Sequence, residues 1–123
     1  MHQFYRHIES YSHKGKIGVL VEFAMGDDFT PYTEEFTALA KDIALHVAAS
    51  SPVSVEDLLQ QAFVKNNDLT VGQLLIDTST VLREQISIVR FVRWQTEATR
   101  PDLPEPPRSP ANVARLKASG MSP

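Results

Sequence analysis

Six of the eight prolines fall in the last 27 residues, 97–123. Proline fixes its own backbone angle and carries no amide donor. The stretch Pro101-Asp102-Leu103-Pro104-Glu105-Pro106-Pro107 therefore cannot be a helix interior or a central strand. This confines the folded body to residues 1–96 and predicts an extended, disordered tail over 97–123. Within that tail, Ala111 to Ala118 has the composition of a short helix, with Val113, Leu116 and Lys117 near one side. A recognition peptide and a frayed end both remain open there, and the frayed end is favoured. A body of this size suits one domain with a two-layer core.

Several function classes are disfavoured by composition. Hydrophobic residues make up 42% and charged residues 22%, ordinary values for a globular chain. No apolar run reaches the roughly 18 residues that a membrane span needs. The net charge of −3 and a pI near 5.7 argue against a general nucleic-acid binder, which needs a basic face. Cysteine is absent, which removes disulfides, thiolate zinc sites and cysteine nucleophiles and fits a reducing compartment. The opening Met1-His2-Gln3-Phe4-Tyr5-Arg6 lacks the apolar core of a secretory signal, so a cytoplasmic location is expected.

Along the body, residues 3–12 read as a strand and His13-Lys14-Gly15-Lys16 as a hairpin turn. Ile17 to Phe23 is almost continuously apolar, which predicts a central strand with both faces covered. Gly26-Asp27-Asp28-Phe29 breaks it. Thr30 before Pro31 predicts a helix cap there, with Glu34 and Glu35 in the early turns. Phe36, Leu39, Ala40, Ile43 and Val47 then mark one buried stripe, and the helix should stop by Ser51-Pro52. Ser54 and Asp57 resemble a capping box opening a short helix over Val55, Leu58 and Leu59. Asn66-Asn67-Asp68 reads as a loop. Thr70 caps a third helix whose Val71, Leu74, Leu75, Val81 and Leu82 share a face.

Ile86 to Trp94 closes the body as a third strand. Strict alternation sends Ile88, Val92 and Trp94 one way and Val89 and Phe91 the other. Apolar residues on both faces leave two readings: the second face is covered by another copy or a partner, or Arg90 and Arg93 lie over an ordinary exposed face. The expected fold is α+β: a three-stranded antiparallel sheet with three helices, in the order β-β-α-α-α-β.

Motifs for covalent chemistry are missing. There is no phosphate loop, dinucleotide fingerprint, GxSxG, HExxH or EF-hand loop. His2, His7, His13 and His46 form no recognisable ligand set, so no metal or other cofactor is expected. His46 reads as a partly buried packing residue of the first helix. Asp27 and Asp28 are adjacent carboxylates of a kind that usually form turns.

Specific residues then carry a resemblance. Glu9-Ser10-Tyr11 leads through a glycine turn into Lys16-Ile17-Gly18-Val19-Leu20-Val21-Glu22. Asp28-Phe29, Thr33-Glu34-Glu35-Phe36 and Lys41-Asp42-Ile43-Ala44-Leu45-His46-Val47-Ala48-Ala49 follow. Phe63-Val64-Lys65, Thr70-Val71-Gly72-Gln73-Leu74 and Val89-Arg90-Phe91-Val92-Arg93 complete the series. In this order the motifs resemble the core, or dimerisation, domain of bacterial translation elongation factor Ts, over most of residues 7–94.

The resemblance implies a guanine-nucleotide exchange factor for elongation factor Tu, acting in protein biosynthesis without covalent chemistry. In that family a Thr-Asp-Phe-Val loop pushes into the GTPase domain and displaces the elements that hold magnesium. The matching loop here is Asp27, Asp28, Phe29 and Thr30. Asp28 and Phe29 match the central pair, whereas Asp27 and Thr30 replace the family's threonine and valine. By its residues alone, Phe29 suits either an anchor in a partner's pocket or a ring folded back on its own core; the resemblance favours the anchor. The family also implies a homodimer paired through the core sheet.

Three departures qualify this. The family begins with a small three-helix module that grips the GTPase domain, whereas Met1 stands just before the first core strand. A natural short product is expected rather than a fragment, with weaker binding. Gly26, Asp27, Pro31 and Tyr32 depart from the pattern around the loop, and the proline-rich tail follows where many members end. The alternative function is therefore a non-enzymatic, dimeric interaction protein that kept the core fold and lost exchange.

Overall fold

The computed structural model describes residues 4–96. The proline-rich segment and the helix suggested over 111–118 lie outside the described residues, as do His2 and residues 97–123 generally. β1 (Tyr5–His13) and β2 (Ile17–Met25) form an antiparallel hairpin. Its two-residue turn puts Lys14 at φ 54° and Gly15 at φ 70°, and the Lys16 amide donates to the His13 carbonyl at 2.9 Å. Two successive positive φ values match the right-handed twist of the flanking strands, and glycine takes the second without steric cost.

A 3₁₀ turn at Thr30–Tyr32 precedes α1 (Glu34–Ser50). The cap of α1 is Thr33, whose hydroxyl accepts from the Phe36 amide at 3.1 Å. The cap expected at Thr30 is thus displaced to Thr33. Proline at position 31 sits instead in the 3₁₀ turn, and the chain regains an extended residue at Thr33 before the helix starts. Glu34 and Glu35 occupy the first turn of α1, and Ser51 ends it in the left-handed conformation just before Pro52. α2 (Val55–Gln60) begins as expected, with the Ser54 hydroxyl accepting from the Asp57 amide. Asp57 reaches back to the amide of Val53, one residue beyond the usual box partner.

A second, two-stranded sheet follows, β3 (Ala62–Phe63) with β4 (Asn66–Thr70). Asn66-Asn67-Asp68, expected as a loop, have poor strand propensity but lie in β4. They are held by tertiary anchors at either end: Phe63 is buried and Leu69 packs on the core. α3 (Val71–Leu82) is capped by Thr70, whose hydroxyl accepts from Gln73 at 3.0 Å. A Cβ at Gly72 would lie 3.0 Å from the Leu59 carbonyl oxygen, so glycine there lets α3 approach the end of α2. Val71 and Leu75 are buried, but Val81, expected on the same face, is exposed.

β5 (Ser87–Gln95) pairs antiparallel with β2, giving the sheet order β1-β2-β5. The fold is α+β with a three-stranded antiparallel sheet and three helices. The helices cover one face. Val19, Val21, Phe23 and Met25 of β2 meet Phe36, Leu39, Ala40, Ile43, Ala44 and Val47 of α1, all buried. Phe23 and Phe36 pack edge to face at 5.3 Å, and burial of each such ring contributes about 2–3 kcal/mol.

Strict alternation fails in β5. Arg90 faces Glu22 and Ile88 faces Phe23, with Val89 between them as the extra residue of a bulge. Ile88 therefore joins Phe91 on the core side rather than Val92 and Trp94. Arg90 and Arg93 also part company. Arg93 turns to the helix side, where its guanidinium donates twice to the Ala48 carbonyl near the end of α1, at 3.0 and 3.1 Å. The second sheet face, expected to be covered, is open in the single chain: Leu20, at the middle of β2, is 47% exposed.

Candidate functional site

The segment between β2 and α1 holds all four residues singled out by sequence. Its root is tied down, because the Gly26 amide donates to the Glu84 carboxylate at 2.7 Å. Asp27 then organises the turn. Its Oδ1 accepts from the Phe29 amide at 2.9 Å, the Thr30 amide at 2.8 Å and the Thr30 hydroxyl at 2.9 Å. Thr30 is buried, and its carbonyl accepts from the Thr33 hydroxyl at 2.8 Å.

These contacts divide the four residues into two pairs. Asp27 and Thr30 bond each other and brace the turn. Asp28 and Phe29 stand at its exposed tip, with Phe29 77% accessible. The ring is not folded onto the core. The two positions that depart from the Thr-Asp-Phe-Val pattern are thus the two that hydrogen-bond to one another. The sequence treated Tyr32 only as a departure, yet it is 87% exposed on the same turn.

Hydrogen bonds from the Thr30 amide and hydroxyl, outweighing desolvation, hold the Asp27 carboxyl below its ordinary value of 3.8. A carboxyl depressed on folding stabilises above that ordinary value, and the contribution is lost as pH falls through the lowered one. Asp27→Ala should cost about 1 kcal/mol, as for loss of a helix cap. Thermal melts of both proteins should differ by a constant amount from neutral pH down to pH 3.8 and converge below it. A difference unchanged at lower pH would rule out the ionised clamp.

A second exposed feature is the open sheet face. Register places Ile8, Leu20, Val92 and Trp94 there, around Glu22. Trp94 is 74% exposed and Ile8 57%. Glu22 lies between Arg90 at 2.6 Å and Arg6 at 3.1 Å. The Arg90 hydrogen bond, then that of Arg6, holds its carboxyl below the ordinary 4.5 against desolvation.

The three described histidines serve the fold. His7 meets Glu9 at 2.9 Å and packs edge-on to Phe36, and His13 meets the Tyr11 hydroxyl at 3.1 Å. His46 is completely buried rather than partly so: Nδ1 accepts from the Val64 amide, and Nε2 donates to the Gln61 side chain. Among the described residues, no three His, Asp or Glu side chains are placed to hold a metal ion. Among them, too, no helix is long and apolar enough to cross a membrane.

Residues 2–58 match the family model described as elongation factor TS. The chain is 32% identical to elongation factor Ts of Desulfotalea psychrophila (strain LSv54 / DSM 12343), covering 74% of this chain and 69% of that protein.

The chain belongs to the elongation factor Ts family.

It is also 34% identical to elongation factor Ts of Alkaliphilus oremlandii (strain OhILAs), over 72% of this chain, and spans 62% of that relative's length. The family match includes β1, β2, the Asp27–Thr30 turn, α1 and the start of α2. The exposed Asp28-Phe29 pair lies inside the stretch matched to the elongation factor Ts model.

Proposed function

We propose that this protein is a cytoplasmic guanine-nucleotide exchange factor that binds elongation factor Tu through residues 27–30 and promotes release of GDP. The observation that carries the reading is the exposure of Phe29 on a turn clamped by Asp27. An apolar ring held out on a pre-ordered turn loses little entropy on entering a pocket. Asp28 beside it brings a carboxylate towards the partner's magnesium-holding elements. No bond is made or broken. By preferring the nucleotide-poor partner, the factor weakens nucleotide binding by linkage. The test is the release of a fluorescent GDP analogue from elongation factor Tu as this protein is titrated in.

The proposal extends to a homodimer paired through the open sheet face. Ile8, Leu20, Val92 and Trp94 form an apolar patch, and its central carboxylate, Glu22, is already satisfied by two arginines. Such a surface can meet its own copy about a twofold axis without stranding a buried acid. Sedimentation should give a dimer, and Leu20→Lys should shift it to monomer by placing two like charges near the centre of the interface. A wild-type monomer at high concentration would reject this pairing. A dimer that leaves GDP release unchanged would instead support the non-enzymatic interaction protein.

A further inference from the structure

We propose that Tyr32 is a second partner-contacting ring, so that Phe29 and Tyr32 together form one two-ring anchor. This rests on the reading that the 27–30 turn engages elongation factor Tu. The geometry starts from the 3₁₀ turn. The Tyr32 amide donates to the Phe29 carbonyl at 2.9 Å, closing a one-to-four turn between the two aromatic residues. Positions three apart in a 3₁₀ turn eclipse one another, which sets residues 29 and 32 on one side of the turn.

The scaffold under them is stiff. Pro31 holds the intervening backbone angle, Asp27 bonds the first end of the turn, and Thr33 bonds the Thr30 carbonyl at the other. Thr30, between the rings in sequence, is 3% exposed and roots the turn in the body. Phe29 and Tyr32 are 77% and 87% exposed. Aromatic side chains have only two rotatable angles, so a pair on a fixed turn offers a large contact area for little lost freedom. Tyr32 adds a hydroxyl suited to the wet edge of a contact, while its ring body remains apolar. Exposed Asp28, Glu34 and Glu35 flank the rings in sequence. The occupied surface is accordingly an apolar cleft on the GTPase wide enough for two rings, with a basic margin.

The roles of the rings separate. Phe29, beside Asp28, drives displacement. Tyr32 supplies grip. The experiment is release of a fluorescent GDP analogue from elongation factor Tu, titrated with the wild type, Tyr32→Phe, Tyr32→Ala and Phe29→Ala. Tyr32→Ala should raise the half-saturating concentration about tenfold, the weight of an ordinary interface aromatic, and keep the maximal release rate within about twofold. Tyr32→Phe should stay within about threefold of the wild type. Phe29→Ala should lower the maximal rate itself. Added salt should raise the half-saturating concentration of the wild type.

Tyr32→Ala indistinguishable from the wild type would overturn the two-ring anchor and leave the proposed function standing. Equal losses in Tyr32→Phe and Tyr32→Ala would overturn it as well, because the hydroxyl and not the ring would be the contact. A wild type that leaves GDP release unchanged overturns the proposed function and this inference with it. Tyr32 is almost fully exposed, so thermal melts of its variants should match the wild type and separate lost contact from lost fold.

Discussion

Phe29→Ala should abolish the acceleration of GDP release from elongation factor Tu while leaving the protein's own stability unchanged. The two halves of this expectation have one source. The ring is 77% exposed, so the folded body gains little from it. Surface substitutions of this kind normally fall within about 0.5 kcal/mol. The turn also survives the change, because its hydrogen bonds come from the Asp27 carboxylate, the Thr30 hydroxyl and backbone groups. All that is lost is a ring that a partner would bury, and central interface aromatics can cost about 2–4 kcal/mol or more on truncation. Because that contact drives displacement, its loss at about 1.4 kcal/mol per tenfold lowers the maximal release rate roughly 30-fold or more. Phe29→Leu should keep part of the effect, since it retains apolar volume. Full exchange by Phe29→Ala would show that this turn is not the displacing element.

His46→Ala should produce the largest loss of stability of any single change considered. The ring is wholly buried between α1 and the β3–β4 hairpin. Its Nδ1 accepts from the Val64 amide at 3.2 Å, and its Nε2 meets the Gln61 carbonyl oxygen at 2.8 Å. The amide of Gln61 in turn reaches the Asp57 carboxylate, which also accepts from Val53. One side chain thus connects the end of α1, the cap of α2 and the hairpin. Alanine leaves a cavity and takes the partner from a part-buried donor, the Val64 amide, and a part-buried acceptor, the Gln61 side-chain oxygen. Cavity and desolvation costs together should reach about 3–5 kcal/mol. For a body of this size that lowers the thermal midpoint by roughly 15 °C or more. His46→Gln keeps one donor and one acceptor and should recover part of the loss. A drop below about 1 kcal/mol for His46→Ala would show that the network carries no stability.

Much of the fold was legible because its signals are local. The I′ turn needs only Lys14-Gly15 between two β-prone runs. The α1 stripe repeats at helical spacing, and Thr70 and Ser54 cap helices through neighbours three residues on. Patterns confined to a few consecutive residues survive folding because the same residues make the contacts. The errors came where distant residues intervene. A capping threonine exists at both Thr30 and Thr33, and only the burial of Thr30 against the body and its bond to Asp27 decided which one starts the helix.

The candidate site divides the same way. Asp28 and Phe29 were readable as an ordered pair beside a strand end. That Asp27 braces while Phe29 projects depends on which atoms the closed turn brings together, and a string of residues does not encode this directly. Tyr32 was visible only as an unusual residue until the 3₁₀ turn aligned it with Phe29. The three long strands, the three helices, the core stripe of α1, the break after β2 and the family are thus written in local patterns of the chain. The tertiary structure decided the bulge at Val89, the burial of His46, the β3–β4 hairpin and the open sheet face. Each of these turns on a partner 15 or more residues away or on the register between strands, and such contacts exist only once the chain has closed on itself.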